Sequence, residues 1–212
     1  MYIKTKRTVN FKDLQDVLQY AVFDIRYASA YNFVGDVIDG YEEAAALLCA
    51  PAAQALKEAE DDFYARGYIL KIWDAFRPQR AVDHFVRWAE DLQDTRMKEV
   101  FYPAVDKKDL FALGYIDARS SHTRGSTVDL TLVNRKTMQE ADMGGSFDRF
   151  DPSSATAYAD LSEDQLANRR LLREVMEAHG FMPLAEEWWH YTLKDEPYPD
   201  TYFDFPVRHR MI

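Results

Sequence analysis

The spacing of apolar residues along the chain changes several times, and each change predicts an element. Leu14, Val17 and Leu18 recur on one side of residues 11–21, which predicts a short helix. Residues 22–41 keep no period. They carry Tyr27, Tyr31, Asn32, Phe33, Gly35, Asp36, Asp39, Gly40 and Tyr41, an aromatic-rich loop composition. Residues 42–66 are helical in character, with Pro51 dividing them in two and sitting early in the second helix, where its missing N–H does no harm. Gly67 ends that stretch, and Tyr68–Trp73 is apolar enough for a buried strand. Val82, Phe85, Val86, Ala89 and Leu92 give residues 79–93 a helical stripe. Val128–Leu132 reads as a strand. Ser162 and Gln165 form a capping box ahead of a helix with Leu166, Leu172, Val175 and Met176 on its apolar face and Gly180 as its C-terminal stop. Trp188–Leu193 reads as a last strand. Helices first, then strands, then a helix between strands fit an α+β fold better than regular βαβ repetition.

Composition narrows the classes. The chain has 212 residues, a hydrophobic fraction of 47% and a charged fraction of 29%, as in a globular protein. No repeat, low-complexity segment or Pro/Gly/Ser-rich linker divides it, so residues 1–212 are read as a single domain. Lys plus Arg is 26 and Asp plus Glu is 36, a net charge of -10. That balance argues against sequence-independent nucleic-acid binding, which needs clustered cations. Cys49 is the single cysteine, which excludes an intrachain disulfide framework and a Cys-rich zinc finger. No run of 18 apolar residues predicts a membrane span. The first ten residues lack the apolar run of a signal peptide, so the expected location is the cytoplasm.

The candidate chemistry lies in three segments. His122 sits in a polar turn with Gly125, which leads into an apolar strand carrying one acid, Asp129. An acid within Val-Asp-Leu-Thr-Leu is costly to bury unless paired or metal-bound, so Asp129 either meets an arginine or joins His122 at a metal. His190 follows Glu187-Trp188-Trp189. Residues three apart face opposite ways on a flat strand, so a shared site needs a bend between Glu187 and His190, or Glu187 at the strand's beginning. The alternative is a core histidine with Glu187 on the surface. The third segment, Asp74-Ala75-Phe76-Arg77-Pro78, ends a predicted strand, and Arg77 is either a structural ion-pair partner or an active-site cation. His84 and His179 fall within predicted helices, and His209 in a charged tail reads as solvated. Two histidines, one aspartate and a nearby glutamate make a recognisable zinc hydrolase set, with three protein ligands and an open fourth position.

Taken together, the segments resemble a known family. The stretches are Tyr27 with Asn32-Phe33 and Asp39-Gly40-Tyr41, Trp73 to Pro78 with Arg80-Ala81-Val82, Ser120 to Leu132, Met143-Gly144 with Phe147-Asp148, Glu187 to Tyr191, and the close from Asp195 to Pro206. The chain resembles the D-alanyl-D-alanine dipeptidases of the vancomycin-resistance type, in the zinc D,D-peptidase superfamily. The resemblance implies one Zn2+ per chain held by His122, Asp129 and His190, with Glu187 as general base and then acid. It implies that Arg77 stabilises the transition state, with Asp74 orienting it. Tyr27, Ser121 and Asp148 are implied to hold the substrate, a small zwitterionic dipeptide. The implied fold is the superfamily's (hedgehog-like) α+β fold, mainly antiparallel sheet with packed helices.

A zinc D,D- or L,D-carboxypeptidase acting on peptidoglycan stems would share the same metal residues. The lack of a signal-peptide pattern and the aromatic loop at 27–41, which could close the pocket, favour the dipeptidase. A non-catalytic zinc-stabilised module is disfavoured because Glu187 and Arg77 are both present. The resemblance leaves open glycopeptide resistance against dipeptide recycling, and whether the chain forms oligomers.

Overall fold

The computed structural model describes residues 2–7 and 10–209. In chain order the elements are β1 (Tyr2–Lys4), β2 (Phe11–Asp13), α1 (Leu14–Val17), β3 (Val22–Phe23), β4 (Leu47–Cys49), α2 (Ala50–Ala65), β5 (Tyr68–Asp74), α3 (Gln79–Glu90) and α4 (Lys98–Phe101). There follow β6 (Thr127–Asn134), α5 (Glu163–Ala178), β7 (Phe181–Pro183), β8 (His190–Leu193) and β9 (Thr201–Phe203). The central sheet has the order β3-β5-β6-β8-β7. Only β3 and β5 run parallel; the other neighbours are antiparallel. The fold is α+β, as the element pattern predicts, and mainly antiparallel, as the resemblance implies. α2 packs on β5, α5 packs on β7, and the two helices pack on each other. β2 pairs antiparallel with β4, and β1 pairs parallel with β9.

The helix at 163–178 follows its sequence signals closely. Ser162 accepts from the Gln165 amide, the Gln165 side chain returns to the Ser162 amide, and Gly180 takes a positive φ of 84° just past the end. The first fifty residues depart from expectation. Instead of a helix over 11–21, Phe11–Asp13 is a strand and helix covers only Leu14–Val17. A better partner is the reason: Phe11–Asp13 pairs with Leu47–Cys49. The amides of Gln19 and Tyr20, which a longer helix would use, bond instead to the buried Glu60 carboxylate at 3.0 and 2.8 Å. The first of the two helices expected in 42–66 is absent for the same reason. Its residues supply β4, and α2 begins at Ala50 with Pro51 in its first turn. α3 ends at Glu90, so Leu92 lies beyond it and is 50% exposed rather than part of the stripe. Trp188 and Trp189 precede β8 in a turn instead of opening the strand. His209 is not simply solvated: its Nδ1 lies 2.7 Å from Asp13 Oδ2.

Candidate metal centre and active-site cavity

The site grows out of sheet register. Asp74 at the end of β5, Asp129 on β6 and His190 at the start of β8 are direct cross-strand neighbours, one row across three strands. Neighbours in register share a face, so the three side chains meet above one side of the sheet while Leu130 points to the other. Asp74 joins this row through a bulge. Ile72 pairs with Leu130, and then Asp74, not Trp73, pairs with Asp129. The extra residue re-aims the carboxylate toward the site.

His122 reaches the same place from a short 3₁₀ turn, Ser121–Arg124. Ser120 caps that turn by accepting from the His122 amide, and Gly125 closes it at φ +81°. A Cβ on Gly125 would lie 2.3 Å from the Phe11 ring, so both the backbone angle and the packing require glycine. His122 Nδ1 sits 2.6 Å from the Ala75 carbonyl oxygen. A carbonyl only accepts, so Nδ1 carries the proton and Nε2 presents its lone pair inward.

Nε2 of His122 lies 3.1 Å from Asp129 Oδ2 and 3.2 Å from His190 Nδ1, which is 3.2 Å from Asp129 Oδ1. All three ligand atoms fall within 4.8 Å of one another and are buried. Asp129 Oδ1 receives no hydrogen bond. A buried carboxylate oxygen without a donor, facing two imidazole nitrogens, is the environment a cation satisfies. Two imidazoles and one carboxylate suit zinc with one position left open. With a proton in place of metal, burial works against a charged His190, but Asp129 and Glu187 outweigh it and raise its pKa to about 9. Burial pushes the Asp129 carboxyl up, while the His122 and His190 rings prevail and hold it well below the usual range.

Arg77 faces this cluster from the other side. Its Nε donates to Asp74 Oδ2 at 2.9 Å and its Nη2 lies 3.5 Å from Asp129 Oδ2. The guanidinium is framed by two rings, with centroids 4.9 Å away for Tyr27 and 5.2 Å for Phe85. Asp74 is fully buried and also accepts from Tyr41 Oη at 2.6 Å. Tyr27 Oη donates to Asp148 Oδ2 at 2.8 Å. Asp148 sits at φ +58°, a left-handed conformation that aspartate tolerates better than most residues. Burial, with the charges of Asp129 and Glu187, pushes its carboxyl well above the usual range against the pull of Arg77.

Glu187 lies in the turn before β8, where its carbonyl accepts from the His190 amide at 3.2 Å. That turn resolves the three-residue spacing: Glu187 Oε2 comes within 3.5 Å of His190 Nδ1, and the side chain keeps 28% of its surface exposed. Tyr27, Arg77, Ser121, His122, Asp148 and Glu187 all line one cavity of about 610 Å³. Phe33 lines it too, so the aromatic loop does form part of its wall. Ser121 Oγ lies 3.0 Å from His190 Nε2.

A family model described as D-ala-D-ala dipeptidase matches residues 7–208. The chain belongs to this peptidase family. It is similar to a D-alanyl-D-alanine dipeptidase of Streptomyces coelicolor, 45% identical over 94% of this chain and 99% of the relative. Its likeness to the dipeptidase of Enterococcus faecalis is 43% over 93% of this chain and 98% of that one, and to that of Enterococcus faecium 40% over 94% and 99%. A solved vancomycin-resistance D,D-pentapeptidase in complex with Zn(II) aligns over 81% of this chain and 80% of its own. Its identity to this chain is 12% and the TM-score is 0.44.

In this family member, sequence reasoning missed two supports of the site. The Ala75 carbonyl sets the His122 tautomer. Tyr41, named in a loop and in a stretch shared with the family but given no role, holds Asp74 from 33 residues away. Nothing local in the sequence signals either contact, because each forms between segments that only the fold brings together.

Proposed function

We propose that this chain hydrolyses D-Ala-D-Ala to two D-alanines, using one zinc ion held by His122, Asp129 and His190. The observation that carries the reading is the buried triad with its undonated Asp129 oxygen, set in a cavity that also holds a glutamate and an arginine. The names of the relatives, at 40–45% identity over nearly their whole length, supply the substrate. When bound, the metal supplies a Lewis acid that acidifies water and polarises a carbonyl.

The chain's own groups do the rest. Glu187, partly exposed to the cavity, takes a proton from the attacking water and returns it to the departing amine. Arg77, locked by Asp74 and the two rings, opposes negative charge developing on the former carbonyl oxygen. A preorganised donor of this kind contributes about 3–4 kcal/mol in the transition state. Asp148, whose carboxyl is pushed well above the usual range by burial, meets the substrate's ammonium group, and Tyr27 fixes its orientation. Ser121 accepts from His190 Nε2–H and keeps its own proton for the substrate carboxylate. Recognition of both free termini excludes longer peptides, because either buried group left unpaired costs affinity.

The test is D-alanine release from D-Ala-D-Ala with and without a chelator, alongside metal analysis and a pentapeptide control. Chelator-sensitive release from the dipeptide alone supports the reading. Release from the pentapeptide at a similar rate favours a carboxypeptidase. Among the described residues no helix is long and apolar enough to cross a membrane. The single-domain organisation and cytoplasmic location expected from the sequence belong to the same proposal, tested by a single unfolding transition and by cell fractionation.

A further inference from the structure

Arg169 on α5 lies outside the cavity and is only 7% exposed. Among the described residues it has no carboxylate partner, and burial lowers its pKa. All three of its hydrogen bonds go to backbone carbonyls: Nε to Met143 at 2.7 Å, Nη1 to Ala155 at 3.0 Å and Nη2 to Ser153 at 2.8 Å. A buried cation is costly unless its donors are satisfied, so this fork fixes the positions of the three carbonyls as firmly as they fix it.

Those carbonyls flank one loop. Met143 lies five residues before Asp148, Ser153 five after it and Ala155 seven after it. One planar guanidinium therefore ties together both ends of the segment that holds Asp148 at φ +58°. The Arg169 guanidinium also stacks over Trp188, 5.5 Å from its centroid, beside Glu187. The Trp188 amide donates to the Ser154 carbonyl at 2.9 Å, and the Thr156 amide to that of Ala185 at 2.9 Å. The loop with Asp148 and the turn with Glu187 are thus laced together at the place where Arg169 sits.

We propose that Arg169 is a positioning residue: by closing the base of the 143–155 loop it sets where Asp148 meets the substrate's ammonium group. The proposal rests on the assignment of Asp148 made above. Arg169 touches no reacting atom. Its effect belongs in the step that captures the dipeptide, not in the metal centre, whose ligands stand on β6, β8 and the His122 turn.

The test measures kcat and KM separately for D-Ala-D-Ala in Arg169→Lys, Asp148→Asn and the double variant, with zinc content measured in each. Lysine keeps the charge but has no planar fork. The expected result for Arg169→Lys is a KM raised about tenfold, kcat within about threefold of wild type, and zinc still at one per chain. In the Asp148→Asn background the same change moves KM less than about twofold, because the group it positions is already disabled. An unchanged KM in zinc-loaded Arg169→Lys overturns the proposal, as do additive effects in the cycle or a joint loss of zinc and kcat. Where the lysine variant does not fold, Arg169→Gln removes the buried charge and keeps an amide donor; it is read by the same criteria. Asp148→Asn with a wild-type KM sinks the ammonium assignment itself, a failure distinct from that of Arg169.

Discussion

The two halves of the site are built differently. Asp74, Asp129 and His190 stand in register on β5, β6 and β8, and each is deeply buried. Tyr27, Asp148 and Glu187 stand on loops and short turns, held in place by side-chain contacts such as Tyr27 Oη to Asp148 Oδ2 and the Arg169 fork. Strand pairing sets the positions of two proposed ligands, Asp129 and His190, by backbone hydrogen bonds shared across the ladder. A metal tolerates little misplacement, and the sheet supplies that precision. The loop-borne groups meet a substrate that must enter and leave, and loops on a rigid frame suit that task. Arg77 joins the halves, with one nitrogen toward Asp129 and its plane against Tyr27.

If this division is right, losses in the two halves have different signatures. The largest effect is expected from His122→Ala, which should abolish both metal and turnover, a fall of about 10⁴-fold or more when a member of a catalytic unit is removed. Retention of stoichiometric zinc would break the ligand assignment. Next, Glu187→Ala should lower kcat by about 10³-fold while zinc stays bound. Metal analysis on the same sample separates this outcome from the first. Arg77→Ala should cost about 10²-fold in kcat, again with zinc retained; a loss confined to KM would move Arg77 from the transition state to simple substrate binding.

A smaller effect distinguishes the halves by pH. In metal-stripped protein His190 is raised to about 9, chiefly by Asp129 and Glu187 against the opposing effect of burial. A raised histidine pKa stabilises the fold fully below its unfolded value of about 6.5, and that contribution is lost as pH rises through about 9. The Tm of stripped protein should therefore fall between about pH 7 and pH 10. Zinc-loaded protein, where metal replaces that proton, should vary less over the same window. Parallel melting curves at matched pH decide it. The smallest expected change is Tyr41→Phe. Removing the 2.6 Å bond to Asp74 should destabilise by about 1 kcal/mol and lower kcat a few-fold through Arg77, with zinc and KM nearly unchanged.

Legibility followed the same division. The capping box at Ser162, the strands around Leu70 and Leu130, and the α+β class were all readable, because each depends on local preference and period. Residues 11–21 and 42–49 were misjudged. Their apolar spacing suits a helix, but Phe11–Asp13 and Leu47–Cys49 find each other across more than thirty residues, and Glu60 captures the amides of Gln19 and Tyr20. The residue types at the site were readable from motif and resemblance. Their supports were not: neither the Ala75 carbonyl nor Tyr41 carries a local mark of its task.

By itself, the sequence marked the side chains assigned to the proposed chemistry: two histidines, an acid on an apolar strand, and a glutamate and an arginine at strand ends. Each group alone had a structural alternative, but the set together was informative without coordinates. The tertiary structure alone decided how they face one another. It chose Nε2 of His122 and Nδ1 of His190 as the inward atoms, and shifted Asp74 into line through one extra residue at Trp73. It also placed Asp148 in a left-handed conformation at the far end of a loop. The physical reason is that orientation depends on hydrogen bonds and strand register between distant segments, and these exist only once the chain has closed on itself.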